Sequence, residues 1–371
     1  MNTLELNRFV VVLLYGSLVF LSLLIFTNPL KVNKKANFCF GIFLFLWSTF
    51  WLDEVLSFAG VSKIEIYFQV FIQFIQFLTP VIFYLSVLFY TNPIFKFKIS
   101  DIKYGIIPIL FLINLLLLNF GELENKEALN IVFITLILVQ ALFYTGFSYY
   151  TIRKHQKKIQ QFSANTEGID LNWLEYIILT IFIVNLIYVI YNLSYNSHSL
   201  NAFINLAFLS VVYFVGYYSL KQKEIYPIEA KIREEIIHIT EDSETEEIKK
   251  KLISDDEHNR IKIELDKLMQ TQKPYLDSEL NLIKLSELLS VSTHHLSYVI
   301  NTGFNKNFFQ YVNEYRIEYA KDLLKDDKNS KLSILGIAYE AGFNSKTSFN
   351  ITFKKLTNQT PSEFKKISSH L

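Results

Sequence analysis

The chain has 371 residues, 51% of them hydrophobic and 16% aromatic, with a formal net charge of +1 and a mean hydropathy of +0.25. That length allows two or three domains, and the aromatic content and positive mean hydropathy are unusual for a soluble globular protein. The single cysteine, Cys39, excludes an intrachain disulfide and starts no metal-ligand spacing.

Apolar segments cover Phe9 to Phe26, Phe38 to Phe58, Ile66 to Tyr90, Tyr104 to Asn119, Leu129 to Tyr150, Trp173 to Tyr191 and Leu200 to Leu220. Read as helices, most reach across roughly 30 Å of hydrocarbon, the fourth being the shortest. Seven spans are expected, filling residues 1–220 as a transmembrane sensor domain. The first carries only Arg8 ahead of it and lacks a small-residue cleavage pattern, so it is read as a span and not as a signal peptide. Loop charge alternates. Lys31, Lys34 and Lys35, then Lys96, Lys98 and Lys103, then Arg153, Lys154, Lys157 and Lys158 mark one side; the other loops hold few cations. The positive-inside rule then puts the N-terminus outside and the C-terminus in the cytoplasm, a multi-pass arrangement expected of a bacterial inner membrane.

Polar residues within spans are costly in lipid and face the bundle interior. Gln69, Gln73 and Gln76 recur at helical spacing in the third span. Asp53 and Glu54 in the second, Asn114 in the fourth, Asn185 in the sixth and Asn205 in the seventh fall toward the outer half of the bilayer. Two readings stand side by side: an outward-opening cavity for a small-molecule or membrane signal, or amides that bond neighbouring helices to one another. Pro80 and Pro108 are expected as fixed kinks in the third and fourth spans. Leu200 to Leu220 contains no lysine, which argues against a retinal protein. A transport path is a competing class, but it leaves the second half of the chain unexplained.

From Lys221 the composition turns to Glu, Lys, Asp and Ile. Residues 221–256 are expected as a charged linker with a helical stretch, in which Ile225, Ile228, Ile232, Ile236 and Ile239 recur at helical intervals. Glu241 to Glu247 is a solvated acidic break. A helix over Glu257 to Gln270 follows, then a turn at Pro274-Tyr275-Leu276. Leu282, Leu285, Leu288 and Leu289 form a short amphipathic helix, Ser290 to Ser292 a turn, and Thr293 to Asn301 a first presented helix. A longer helix, Phe308 to Leu324, is structural. Ile334, Leu335, Ala338 and Tyr339 form another short helix, after which Gly342 can take a positive φ. The last presented helix begins at Ser345, with Phe349 and Phe353 inward and Lys346, Asn350 and Lys354 on another side. Helix, tight turn and presented polar helix is the grammar of a helix-turn-helix.

Gly342-Phe343, Ser345 to Ser348, Phe349 and Phe353, Lys354-Lys355 and Thr360-Pro361 together resemble the DNA-binding domain of the AraC/XylS family of transcription regulators. Asn358 stands where that family has glycine, and asparagine tolerates the left-handed conformation. The resemblance runs from about Ile261 to Ser368 and implies two helix-turn-helix subdomains joined by the long helix, within a DNA-binding domain at 257–371. Groove or backbone contacts are expected from Thr293, His294, His295 and Tyr298, base-edge or phosphate contacts from Ser345, Lys346, Thr347 and Asn350, and phosphate contacts from Lys354 and Lys355. From Phe343 onward five lysines face one glutamate, so binding should weaken with salt.

The expectation is an all-α protein: a seven-helix transmembrane bundle followed by a cytoplasmic double helix-turn-helix domain. It acts as a membrane-bound one-component regulator on double-stranded DNA, as a pair of copies, with no cofactor, no metal and no catalytic constellation. The alternative is a membrane receptor or transporter-like protein whose C-terminal helices contact proteins.

Overall fold

The computed structural model describes residues 3–61, 64–122, 125–194, 201–226, 236–237, 252–326 and 332–368. The regular elements among them are all helical, and the extended pairing is one antiparallel bridge, Ser163 to Asn281. The chain divides into two compact units, residues 1–153 with 171–226, and residues 154–170 with 227–371. The segment between the fifth and sixth apolar stretches therefore groups with the C-terminal half, which a linear reading of domains does not anticipate.

In the N-terminal unit the helices are α1 (Thr3–Thr27), α2 (Lys34–Ser48), α3 (Leu52–Phe58), α4 (Ile66–Thr91), α5 (Ile106–Phe120), α6 (Glu127–Ile159), α7 (Asn172–Ser194) and α8 (Asn201–Lys221). A 3-10 turn at Thr49–Trp51 runs α2 into α3. Helix α2 packs against α1 and α4, α8 against α1 and α7, and α5 against α4. These helices carry apolar side chains outward as well as inward. Val11, Leu14 and Leu18 of α1 are buried while Phe9, Phe20 and Leu23 of the same helix are exposed, the pattern of helices whose outer face meets lipid. Among the described residues, six helical stretches, α2 running on through α3 as one of them, are long and apolar enough to cross a membrane, and the described apolar part of α7, Asn172–Ile183, is shorter. Several long apolar helices of this kind are those of a multi-pass membrane protein.

Close approach of α1 and α2 depends on a small residue. A Cβ on Gly41 would meet the Phe26 ring at 3.2 Å, and Ser22 Oγ donates to Gly41 O at 2.9 Å across the same contact. Pro80 lies inside α4, which continues through it. Pro108 instead falls in the first turn of α5, where a backbone N–H would have no intrahelical acceptor, so it starts that helix and does not kink it.

In the C-terminal unit the helices are α9 (Asp255–Thr271), α10 (Leu282–Leu289), α11 (Thr293–Phe304), α12 (Phe308–Lys325), α13 (Ile334–Glu340), α14 (Lys346–Thr357) and α15 (Pro361–Ser368). Helix α12 is the axle. Its first half packs on α11, and its second half carries Ile317, Ala320 and Leu324 into a core with Ile337, Ala338, Ala341, Phe343, Phe349 and Phe353. Of the expected linker, Ile225 is buried within the N-terminal unit and Ile236 is buried. Ile228, Ile232, Ile239 and the acidic run 241–247 lie outside the described residues.

Candidate nucleic-acid interface

Helix α13 starts on Ser333, whose side chain accepts from Gly336 N at 3.0 Å. It ends in a turn where Gly342 has φ 84°. A Cβ there would stand 2.5 Å from Tyr275 O and 3.1 Å from Leu276 Cα, so glycine is required both by the dihedral and by the close approach of another backbone. The next residue, Phe343, is buried against Phe349, ring centroids 5.2 Å apart. Ser345 caps α14 by accepting from Ser348 N at 3.2 Å, and Asn358 closes that helix at φ 59°, the left-handed conformation asparagine tolerates.

These constraints fix which face of α14 is presented. Phe349 and Phe353 are fully buried and stack edge-on with centroids 5.5 Å apart, while Lys346, Thr347, Lys354 and Lys355 are exposed and Ser345 and Asn350 half-buried. Lys354 and Lys355 occupy the last turn, where cations also complement the helix dipole. Sequence reasoning missed Ile351, which is 64% exposed and shares a face with Thr347 and Lys354 at helical spacing. Its signal was an apolar residue out of register with the Phe349–Phe353 stripe. An exposed aliphatic side chain among polar ones suits a thymine methyl.

The pair α10 and α11 repeats the plan. Ser290 takes φ 53° in the turn, and Ser292 caps α11 by accepting from His295 N at 3.1 Å. Leu296, Val299 and Ile300 are buried. His294, His295 and Tyr298 are half-buried. Thr293 is 6% exposed and turned inward, so it stands apart from the other three. The Tyr298 ring lies against His258 of α9, centroids 6.0 Å apart, and His258 Nε2 bonds Thr302 Oγ1 at 3.0 Å, which anchors the outer side of α11 to α9.

Arg316 ties the two halves together. The residue is 1% exposed, with Nε donating to Tyr275 O at 2.7 Å and Nη2 to Asp277 O at 2.8 Å. Nη1 donates to Ala164 O and to Asn313 Oδ1, each at 3.3 Å, and the group lies over the Phe343 ring at 5.6 Å. Burial pushes its pKa down to about 10 while Asp277 and Glu279 pull the other way, so it is a cation at neutral pH. It is a structural hub and not a DNA ligand.

Of the described polar residues of the apolar helices, Gln76 and Asn205 both bond the Thr49–Trp51 turn, while Asn114 bonds α6. Gln69 and Gln73 are exposed. Gln76 Nε2 donates to Thr49 O at 2.9 Å and Asn114 Nδ2 to Leu129 O at 3.2 Å. Asn205 accepts from Trp51 Nε1 at 2.9 Å and donates to Asn7 Oδ1 at 2.9 Å. The side chain of Asn185 lies outside the described residues. Gln76, Asn114 and Asn205 thus do what membrane amides commonly do, joining one helix to the next.

Against known proteins, a family described as "Helix-turn-helix domain" matches residues 285–367. An uncharacterized HTH-type transcriptional regulator of Staphylococcus aureus strain COL is 37% identical over 92 residues, covering 24% of this chain and 12% of that protein. The counterpart in strain N315 matches to the same extent. An uncharacterized HTH-type transcriptional regulator from Pseudoalteromonas carrageenovora is 35% identical over 92 residues, covering 25% of this chain and 52% of that protein. The chain thus spans about an eighth of the first relatives and half of the last. No solved structure matches.

These findings correct the resemblance to the AraC/XylS family. What matches is a helix-turn-helix domain, and the relatives named above are described as HTH-type transcriptional regulators and not specifically as AraC/XylS. The physical reason is visible in the residues that suggested it. Gly342, Ser345, Phe349, Phe353 and Asn358 are a positive-φ turn, a cap, a core pair and a C-cap, which any helix pair of this shape needs in order to fold. They report the fold and not the family.

Proposed function

We propose that this chain is a membrane-bound one-component transcription regulator, in which an apolar helical unit senses a signal and the C-terminal unit binds double-stranded DNA. The observation that carries the reading is α14: a helix capped by Ser345 and pinned by Phe349 and Phe353, with Lys346, Thr347 and Lys354 exposed, in a chain whose described residues hold six membrane-length helical stretches besides the shorter apolar part of α7. Its exposed side chains offer base-edge and phosphate contacts. In this reading α10–α11 and α13–α14 are two helix-turn-helix units on the axle α12. Lys346, Thr347, Asn350 and Ile351 read bases, Ser345, Lys354 and Lys355 hold phosphates, and His294, His295 and Tyr298 of α11 contact a neighbouring groove or backbone. Seven spans, N-terminus outside, deliver these helices to the cytoplasm, the topology supported by loop charge. Two copies reading repeated sites would gain affinity through effective concentration.

A salt titration of binding tests this. The full chain in detergent should shift a duplex of its own upstream region, with log Kd rising linearly with log salt. Lys346→Ala with Asn350→Ala should weaken the shift at least tenfold. Binding that ignores both salt and these substitutions would favour a receptor or transporter-like protein whose helices contact proteins.

A further inference from the structure

Residues 154–170, placed in sequence between α6 and α7, are built into the C-terminal unit. Gln160 O accepts from Phe309 N at 3.0 Å, Phe162 O from Leu282 N at 2.9 Å, and Ala164 N donates to Leu280 O at 3.3 Å. Ala164 O accepts from Asn313 Nδ2 at 3.1 Å and from Arg316 Nη1 at 3.3 Å. Phe162 is 5% and Ala164 2% exposed. Two of these carbonyls satisfy first-turn amides of α12 and α10, donors that a helix cannot satisfy itself. The third sits on Arg316, which also holds Tyr275 O, Asp277 O and the Phe343 ring, and the Tyr275–Leu276 backbone abuts Gly342 ahead of α14. With the segment docked, α10, α12 and the turn before α14 form one bonded block.

We propose that this segment is a strap through which α6 and α7 set the DNA affinity of the C-terminal unit. The surface between the N-termini of α10 and α12 is an interaction surface whose partner is the chain's own stretch Gln160 to Ala164. Docking holds the two helix pairs in the fixed relation that reading two sites on one duplex demands; undocking frees the capped amides and loosens Arg316. The inference rests on the DNA-binding reading above. Because docking and DNA binding are linked, each shifts the other by the same factor.

The bridge Ser163 to Asn281 supplies the lock. Its flanking bonds make it a non-hydrogen-bonded antiparallel pair, whose Cα separation of about 4.5 Å falls within disulfide range. In the full chain, reconstituted in phosphatidylcholine and phosphatidylglycerol nanodiscs, Ser163→Cys and Asn281→Cys are combined with Cys39→Ser. The oxidised form should bind a labelled duplex of the chain's upstream region at least fivefold more tightly than the same protein reduced. In the unsubstituted chain that duplex should slow amide exchange at Leu282 and Phe309 at least threefold relative to Leu285 and Val312. Equal affinities of the two forms, tighter binding when reduced, or unchanged exchange on binding would each overturn the strap while leaving the DNA-binding reading intact. If neither the oxidised, the reduced nor the unsubstituted chain binds the duplex, the DNA-binding reading itself fails.

Discussion

Gly342→Ala is the sharpest perturbation of the presented helix. The native φ of 84° costs an L-residue roughly 1–2 kcal/mol. The added methyl would stand 2.5 Å from Tyr275 O. That oxygen belongs to a backbone fixed by Arg316 Nε at 2.7 Å, so it cannot swing aside, and overpacking of this kind costs about 1–3 kcal/mol. Together these give about 2–5 kcal/mol, a large share of the roughly 5–15 kcal/mol that holds a domain folded. Amide exchange of Phe349 and Phe353, followed by mass spectrometry in the full chain, should accelerate by roughly 30-fold or more, at 1.4 kcal/mol per decade. Gly342→Asn separates the two costs: asparagine relieves the dihedral but keeps the clash, so it should recover only about 1 kcal/mol. Exchange in Gly342→Ala within a factor of two of the unsubstituted protein would refute the argument that the turn is set by backbone approach.

Replacing Lys354 with Ala should weaken DNA binding uniformly across sequences and reduce the salt slope by about one, checked by mobility shifts at several salt concentrations. Ser345→Ala removes the cap from Ser348 N and should destabilise α14 by about 1 kcal/mol, read from exchange of its first turn. At the start of α15, Glu363 accepts from Thr360 N at 2.7 Å, and its carboxyl is held below the usual range by the Thr360 backbone and side-chain bonds. A depressed carboxylate contributes stability above its unfolded pKa, lost as pH falls through the folded one. Protection of the Thr360 amide should therefore fade at acidic pH, and Glu363→Gln, which keeps the cap without the charge, should flatten that dependence. In the membrane unit, Asn205→Leu removes the bonds to Trp51 and Asn7 and should lower thermal stability by about 1 kcal/mol, measured by unfolding in detergent.

Much of the helical plan was legible because period and caps act locally. Phe349 and Phe353 at i and i+4 named the buried face of α14, Gly342 and Asn358 named its positive-φ turns, and each was found so. The apolar blocks outlined the membrane-length helices, α7 excepted, where the described apolar part falls short. What sequence could not show is carried by the backbone. The carbonyls of Gln160, Phe162 and Ala164 dock the strap, and a carbonyl leaves no trace in residue identity. Positive charge in that same loop, Lys154, Lys157 and Lys158, gave a reading about topology and concealed one about docking. Which way the polar residues of the spans face was hidden for a related reason. Helical spacing puts Gln69, Gln73 and Gln76 on one side of α4, but which side faces a neighbour is decided by packing, and only Gln76 meets one among the described contacts.

In the proposed function a membrane-embedded chain presents α14 to DNA. The most direct test is the mobility shift of a duplex from its own upstream region by nanodisc-embedded full chain, compared with the Lys346→Ala, Asn350→Ala double variant. The unsubstituted chain should give a salt-sensitive shift that the double variant weakens at least tenfold. No shift at any salt concentration, or an equal shift by both, would contradict that function.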